Sequence, residues 1–253
     1  MQVSWAARTD PGLRRTKNED SYCARPKLGL FVVADGMGGH AGGAVASRLA
    51  VDAIQAVTEE TTGLGPRDTW PIPFDSAVGR EGSRLRTGFD VANRRIAERV
   101  ASTDALRGMA TTAVAMLVAD APAALAHVGD SRAYLLRAEQ LIRLTRDHSW
   151  VEEQIQAGML TEAGAREHPR RNIVTRALSG GQLDVEVAEL PLRTRDRVLL
   201  CSDGLSTVLR DEEIRDLVAA TADRQAACDE LVRRTNAGGG PDNVTVLMLD
   251  IDD

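Results

Sequence analysis

The chain has 253 residues, which fits one large domain or two small ones, and no linker-like stretch divides it, so we expect a single domain over residues 1–253. Hydrophobic residues make up 43% of the chain, enough for a sizeable core without disulfides. The net charge of −6 and the aromatic content of 3% argue against a nucleic-acid surface, because such surfaces are basic and stack bases on aromatic rings.

Strands and helices are predicted alternately in the first half of the chain. Residues 3–7 alternate between apolar and polar side chains as a half-buried strand does, and 29–35 form a continuous apolar run of strand length. Apolar side chains recur at helical spacing over 46–57, and a second helical pattern covers 91–100. Between these helices the pattern is lost over 59–83, where Gly, Pro and TWPIPF predict a surface insertion.

The second half begins with three closely spaced strand-like runs between Met109 and Arg137. Such spacing favours antiparallel hairpins, since parallel neighbours need long crossover connections. Residues 145–180 are polar with short helical signals, which is typical of an appended lobe. There follow the strand VLLC, two helices with Asp211 and Asp223 as predicted N-caps, and the closing strand NVTVLMLDI.

The cysteines and the apolar runs bear on the location of the protein. Cys23, Cys201 and Cys228 are odd in number, far apart and without CxxC spacing, which disfavours a disulfide framework and a thiolate zinc site. The chain opens on the alternating MQVSWAA instead of a signal-peptide pattern, and no apolar run approaches ~20 residues. We therefore expect a cytoplasmic protein that does not act at a membrane.

Four apolar runs each meet an aspartate beside a small or polar turn. The aspartates are Asp35 after LFVVA, Asp130 in HVGDSR, Asp203 after VLLCS and Asp242 in GGPDNV. Asp-Gly by itself marks a turn far more often than a site. The repetition with the same polarity, however, can gather carboxylates at one edge of a β core. Buried like charges need a neutralising cation, and the obvious cation is a metal.

Asp20 adds a fifth carboxylate to this set. Carboxylate oxygens are the ligands that Mg²⁺ and Mn²⁺ prefer, and the chain has only 4 histidines, which makes zinc the poorer choice. Two such ions roughly 3.5–4 Å apart can share one carboxylate and one water, lower the pKa of that water and neutralise charge on a phosphoryl oxygen. The pattern therefore predicts a phosphomonoester hydrolase.

The glycine-rich run DGMGGHAGG, residues 35–43, has three interpretations. It is a flexible strand-to-helix turn, a phosphate cradle at a helix N-terminus, or a place where a glycine lets a backbone carbonyl approach a metal. The spacing is not GxGxxG and GK[ST] is missing, so a dinucleotide site and a P-loop are both excluded.

Seven short motifs cover nearly the whole chain, part of 59–90 excepted. They are NED at 18–20 with Arg15 upstream, DGMGGHAGG at 35–43, GDSR at 129–132, LTRDHS at 144–149, HPRRNIVTRALS at 168–179, SDGL at 202–205 and GGPDNVTV at 239–246. Each motif is weak alone, but in this order they closely resemble the bacterial branch of the metal-dependent protein Ser/Thr phosphatases, the protein phosphatase 2C family.

The resemblance implies an α+β fold, a four-layer α-β-β-α sandwich in which helices flank two central antiparallel sheets, with a two-metal site at one end. It also implies a flap, residues 145–180, that shapes substrate access. Carried over position by position, Asp35 bridges two Mn²⁺ or Mg²⁺ ions. The other assigned ligands are the Asp20 carboxylate and the Gly36 carbonyl for one ion, and Asp203 and Asp242 for the other.

Three further roles follow from the same resemblance. Asp130 matches the aspartate that helps to hold a third, weaker ion, and Arg15 matches an arginine that grips the phosphate, for which a guanidinium fork is well suited. The eukaryotic branch has a histidine after the Asp-Gly pair as general acid, whereas this chain has Met37 there. His40 is one candidate for the general acid; the alternatives are that it only hydrogen-bonds within the loop, and that a metal-bound water does this work.

The implied activity is hydrolysis of phosphoserine and phosphothreonine in proteins by a hydroxide that bridges the two ions. The implied partners are phosphoproteins and a cognate bacterial Ser/Thr kinase whose output the enzyme reverses, and we expect a monomer. Two alternatives stay open. One is a hydrolase of small phosphate esters, and the other is a catalytically silent phosphoprotein-binding scaffold of the same fold. The scaffold would be expected to lack a metal aspartate, and none is missing.

Overall fold

The computed structural model describes residues 2–38, 42–64, 71–119 and 122–252. Its strands are β1 Gln2–Asp10, β2 Ser21–Arg25, β3 Leu30–Ala34, β4 Gly36–Met37, β5 Ala110–Thr111, β6 Ala113–Leu117, β7 Ala123–Val128, β8 Arg132–Arg137, β9 Gln140–Arg143, β10 Glu186–Leu190, β11 Arg197–Cys201 and β12 Val244–Asp252. Its helices are α1 Gly42–Glu60, α2 Gly79–Ser102, α3 Trp150–Gln156, α4 Glu162–Glu167, α5 Asp203–Val208, α6 Asp211–Ala220 and α7 Arg224–Ala237.

Two antiparallel five-stranded sheets pack face to face. The first sheet has the order β1-β12-β11-β8-β9 and the second β10-β7-β6-β3-β2, while β4 and β5 form a separate two-stranded ribbon. Phe31 and Val33 of the second sheet are fully buried against side chains such as Val198 and Leu247 of the first. These strands read as continuous apolar runs because both of their faces are covered.

Helices cover the outer face of each sheet. The apolar faces of α1 and α2, including Ile54 and Phe89, bury themselves on the second sheet. The faces of α6 and α7, including Ile214 and Leu231, do the same on the first sheet. The predicted four-layer α-β-β-α sandwich is therefore confirmed. No helix in the described part of the chain is both long enough and apolar enough to span a bilayer.

Two sequence predictions differ from the structure in their boundaries. The predicted 59–83 insertion is shorter than expected, because α1 continues to Glu60 and α2 begins at Gly79, so the first two and the last five of its residues are helical, and Glu81 is buried. The N-cap prediction for Asp211 is wrong: Arg210 is the N-cap, its backbone N–H donates to Glu213 Oε2 at 2.9 Å, and Asp211 is the first residue of α6, with a carboxylate that accepts from the Tyr134 hydroxyl at 3.0 Å. The N-cap prediction for Asp223 is confirmed, since its Oδ1 accepts from the Ala226 N–H at 2.7 Å.

Strand register brings the aspartate-bearing ends to one edge of the sandwich. Strands β3, β7 and β11 end just before Asp35, Asp130 and Asp203, and β2 and β12 begin just after Asp20 and Asp242. In an antiparallel pair, the end of one strand lies beside the start of its neighbour. The end of β3 is paired with the start of β2, and the end of β11 lies beside the start of β12.

Candidate metal centre

The structure brings all five predicted aspartates together. A cleft of about 600 Å³ at this edge is lined by Asp35, Asp130, Asp203 and Asp242, together with Gly36 and Arg15. Asp20 does not line the cleft but belongs to the same cluster, because its charge acts on the Asp35 carboxylate. His40 lies outside the described residues, while Met37 lines the cleft.

Asp20 has one satisfied and one unsatisfied carboxylate oxygen. Its Oδ2 accepts from the Ser202 hydroxyl at 2.8 Å and from the Thr245 hydroxyl at 2.7 Å. Its Oδ1 is buried and has no hydrogen-bond partner among the described residues. Burial raises the pKa of Asp20 to about 7, although both hydroxyls act to lower it. A buried carboxylate oxygen in this condition is costly unless a cation takes its lone pairs.

The other carboxylates repel one another. Burial, followed by the charges of Asp20 and Asp203, raises the pKa of Asp35 well above its ordinary value. The pKa values of Asp130 and Asp203 are raised as well, in each case chiefly by burial and then by a neighbouring aspartate. An all-oxygen donor set with this much unrelieved negative charge fits Mn²⁺ or Mg²⁺ and gives no site for a softer metal.

Gly36 occupies a position that only glycine can take. A Cβ on Gly36 would lie 2.1 Å from the carbonyl oxygen of Gly43 and 2.6 Å from that of Glu19. The Ser47 hydroxyl holds the same Glu19 carbonyl at 2.6 Å. The turn after Asp35 is therefore packed directly against the loop that carries Asp20, with no room for a side chain at Gly36.

Arg15 reaches the aspartate cluster at its rim. Its guanidinium donates to Asp242 Oδ2 at 2.7 Å, with the arginine side chain 55% exposed, and this bond is the largest cause of the raised pKa of Arg15. The backbone N–H groups of Leu13 and Arg14 donate to the Gly240 carbonyl at 2.8 and 3.2 Å, which fixes the arginine loop to the turn before Asp242. Arg15 also lines the cleft.

Sequence reasoning missed the polar residues that support the site. Asn243 donates from Nδ2 to the carbonyls of Pro11 and Lys17 at 3.0 and 2.8 Å, and its Oδ1 accepts from the Glu19 N–H at 2.8 Å. These three hydrogen bonds hold the loop that carries Arg15 and Asp20. The available signal was Asn243 beside Asp242, together with polar Ser202 and Thr245 at the ends of otherwise apolar strands. The flap contributes further lining residues: Arg171, Asn172 and Val174.

Comparison with known proteins gives one consistent family. The family model described as Protein phosphatase 2C matches residues 14–236. The serine/threonine protein phosphatase PstP of Mycobacterium tuberculosis is 37% identical over 253 residues, which are 100% of this chain and 46% of PstP, so the chain spans about half of that relative. Serine/threonine phosphatase stp of Listeria welshimeri is 36% identical over 250 residues, 96% of this chain and 94% of the relative.

Solved structures agree in fold. The crystal structure of the M. tuberculosis phosphatase PstP/Ppp superposes with a TM-score of 0.89 at 36% identity and covers 100% of both chains. The catalytic domain of PstP in complex with two manganese ions gives a TM-score of 0.81 at 36% identity and covers 99% of both chains. The family model matches most of this chain, and the L. welshimeri phosphatase aligns with it over nearly the whole length of both proteins. The chain therefore belongs to the protein phosphatase 2C family.

Proposed function

We propose that this chain is a metal-dependent phosphoprotein phosphatase that hydrolyses phosphoserine and phosphothreonine. One observation carries the proposal: four aspartates from distant segments line one cleft with an arginine at its rim, and the charge of a fifth, Asp20, whose buried Oδ1 has no partner among the described residues, acts on that of Asp35. The names of PstP and stp, both serine/threonine phosphatases, support the substrate class.

The carboxylates of Asp20, Asp35, Asp203 and Asp242 and the carbonyl of Gly36 would hold two Mn²⁺ or Mg²⁺ ions, and Asp130 would help with a third. The two manganese ions in the PstP catalytic domain support this assignment. When bound, such ions polarise a phosphoryl oxygen and make water more acidic.

The remaining groups bind and orient the substrate. The Arg15 fork matches two oxygens of a phosphate dianion, which is the same kind of partner as the Asp242 carboxylate that it holds in the structure. Ser202 and Thr245 keep Asp20 in one orientation. The flap lines one wall of the cleft, so we propose that it contacts the protein segment on either side of the phosphorylated residue.

The proposal extends to organisation and setting. We propose one catalytic domain over residues 1–253, with the flap at 145–180 and a surface insertion that ends before Gly79. A phosphoprotein phosphatase needs a kinase that makes its substrate, so a cognate Ser/Thr kinase is part of the proposal. Three free, buried cysteines support a reducing, cytoplasmic setting. A monomer is supported by large exposed apolar side chains that are scattered over separate segments, among them Trp5, Phe74 and Met159.

The test compares three substrates: p-nitrophenyl phosphate, a phosphothreonine peptide and glycerol phosphate. Each is assayed with Mn²⁺, with Mg²⁺ and with chelator. We expect metal-dependent turnover of the peptide, its loss in Asp203→Asn, and its retention in Asp52→Asn, where the carboxylate is exposed on α1. Turnover of glycerol phosphate without turnover of the peptide would identify a small-ester hydrolase. Binding of the peptide without turnover under any metal would identify the scaffold.

A further inference from the structure

His148 bonds to parts of the fold that are far apart in the chain. It lies in the segment that connects β9 to α3, and its side chain is buried. Its backbone N–H donates to the Gly129 carbonyl at 2.9 Å, and its backbone carbonyl accepts from the Thr175 N–H at 2.8 Å. Ring Nδ1 accepts from the Gly129 N–H at 3.1 Å, and Nε2 lies 3.0 Å from Glu186 Oε1. One residue near the start of the flap is thus bonded to the loop before Asp130, to Thr175 near the end of the flap and to β10.

The partners of the His148 ring determine its tautomer. A backbone N–H can only donate, so Nδ1 carries no proton and the ring proton lies on Nε2. That proton is donated to the Glu186 carboxylate. The Arg176 guanidinium, in the flap, lies 3.6 Å from the same Glu186 oxygen and 2.8 Å from Asp184. The carboxylate that accepts the ring proton therefore also has a cationic partner from the flap. The ring is therefore oriented by hydrogen bonds at both of its nitrogens.

The same cluster does not make a metal centre, although candidate ligand atoms of His127, His148 and Glu186 lie within 4.8 Å of one another. The two rings are stacked at 4.7 Å with an interplanar angle of 19°, so their in-plane lone pairs run side by side instead of converging. His127 Nε2 lies 2.9 Å from the Arg146 carbonyl, which can only accept, and so it carries a proton as well. A metal would have to displace both protons.

Gly129 has little freedom to move independently of His148. Its φ is +99°, and a Cβ on it would lie 2.4 Å from Thr112 Cγ2, so its backbone lies between Thr112 and the histidine ring. Thr112 in turn donates its N–H to the Asp35 carbonyl at 2.9 Å. A displacement of the His148 ring is therefore passed to the backbone that carries Asp130 and, through Thr112, toward Asp35.

The flap is attached at the same place. Ser149 pairs with Val174 in an isolated antiparallel bridge, beside the bond from Thr175 to His148. Val174 lines the cleft, so this attachment determines the distance between this part of the flap and the aspartates. His148 therefore contacts both regions: its ring and backbone N–H bind the Gly129 backbone before Asp130, and its backbone carbonyl binds Thr175 of the flap.

We propose that His148 is a positioning residue for the phosphatase reaction, holding the Asp130 carboxylate and the flap in register with each other through Gly129 and Thr175. The inference rests on the proposed function, because it concerns the ion that Asp130 helps to hold. Loss of the Nδ1 acceptor loosens the Asp130 loop and the flap together. The same loss leaves the bond of Arg15 to Asp242 and the hydrogen bonds of Asn243 unchanged, since among the described residues neither side chain bonds to this cluster.

Two substitutions separate the functions of the ring nitrogens. In His148→Asn the side-chain oxygen takes the place of Nδ1 and still accepts from Gly129. In His148→Gln the longer side chain reaches toward Glu186 and leaves the Gly129 N–H without its acceptor. Glu186→Ala, at a side chain 46% exposed, removes the acceptor of the ring proton and the carboxylate near Arg176, and leaves the bond from Gly129 to Nδ1 in place. Asp223→Asn is the control, because Asp223 Oδ1 also accepts a backbone N–H, that of Ala226, but at the start of α7 and outside the residues that line the cleft.

The measurements are Mn²⁺ titration by calorimetry, kcat and KM on a phosphothreonine peptide, and Tm. We expect His148→Gln to weaken the weakest Mn²⁺ step by about tenfold or more and to lower kcat more than it raises KM, and His148→Asn to stay within about threefold of the wild type. Glu186→Ala changes both quantities in the same direction to a smaller extent, and Asp223→Asn changes neither.

Wild-type Mn²⁺ affinity and kcat in a folded His148→Gln would overturn the inference, as would equal losses in the Asn and Gln variants in proportion to Tm. If His148→Gln does not fold, Glu186→Ala decides, and wild-type Mn²⁺ binding by that variant overturns the inference. A wild-type protein that neither binds Mn²⁺ nor hydrolyses the peptide refutes the proposed function instead.

Discussion

Replacing Asp20 by asparagine is expected to stabilise the metal-free protein at alkaline pH. The amide oxygen can accept from the Ser202 and Thr245 hydroxyls as Oδ2 does, and the amide NH₂ takes the place of the unpartnered Oδ1. The substitution therefore removes a buried charge and keeps both hydrogen bonds. It also places two N–H donors near the carboxylates of Asp203 and Asp242, whose negative charges repel the Asp20 carboxylate in the wild type.

The magnitude follows from the pKa of Asp20, which burial raises from 3.8 to about 7. A carboxyl with a higher pKa in the folded state contributes its full stability below its unfolded pKa and loses it as the pH rises through the folded pKa. One pKa unit corresponds to about 1.4 kcal/mol, so Asp20 costs the metal-free wild type up to about 4 kcal/mol at pH ~8 relative to pH ~4. For a chain of this size that is up to about 8–16 °C in Tm.

The assay is thermal unfolding in chelator at several values between pH ~5 and ~8, for the wild type, Asp20→Asn and Asp52→Asn. We expect the Tm gain of Asp20→Asn to be small at the acidic end and to grow through neutral pH, while Asp52→Asn follows the wild type throughout. Added Mn²⁺ should raise the Tm of the wild type and of Asp52→Asn, and much less that of Asp20→Asn. A gain that is absent at the alkaline end, or equal at both ends, would refute the reasoning.

Three further outcomes are expected. Arg15→Lys keeps the charge but loses the fork, so kcat/KM on a phosphopeptide should fall about 10–100-fold with Mn²⁺ affinity unchanged; an unchanged kcat/KM would exclude Arg15 from phosphate binding. Gly36→Ala should lower the unfolding free energy in urea by about 1–3 kcal/mol, against little change for Gly181→Ala, whose added Cβ meets nothing closer than 3.7 Å. Burial lowers the pKa of His127, so its contribution to stability is present above the unfolded pKa of ~6.5 and is lost as the pH falls through the folded pKa. His127→Gln should flatten that acid limb in urea unfolding, and parallel limbs would contradict it.

The central strands could be predicted because two covered faces demand unbroken apolar runs, whereas three edge strands could not. Strands β2 and β10 are the edges of one sheet and β9 is an edge of the other. Side chains in β9 and β10 are exposed or half-buried in every position, whereas β2 buries only the small side chains of Ser21, Cys23 and Ala24, which give a weak apolar signal. A strand that pairs on one side only and has one wet face needs few apolar residues, so its sequence is hard to distinguish from a loop.

The aspartates of the site were predictable from their place at strand ends, but their partners were not. Nothing in local sequence shows that Ser202 and Thr245 share the Oδ2 of Asp20, because those residues are 182 and 225 positions away from it. The same holds for the bond from His148 to Gly129. Such contacts depend on the twist and stacking of the sheets, which fix side-chain directions only after the whole sandwich is packed.

The long separations within the Asp20 cluster also have a kinetic meaning. Its hydrogen bonds join the residue before β2 to the residue after β11 and to β12, so an early strand and the last two strands must all be in place before the cluster exists. Contacts between residues so far apart in sequence are costly in loop-closure entropy and are slow to form. A cation that binds there meets an almost finished structure. It should therefore slow unfolding and leave the folding rate nearly unchanged.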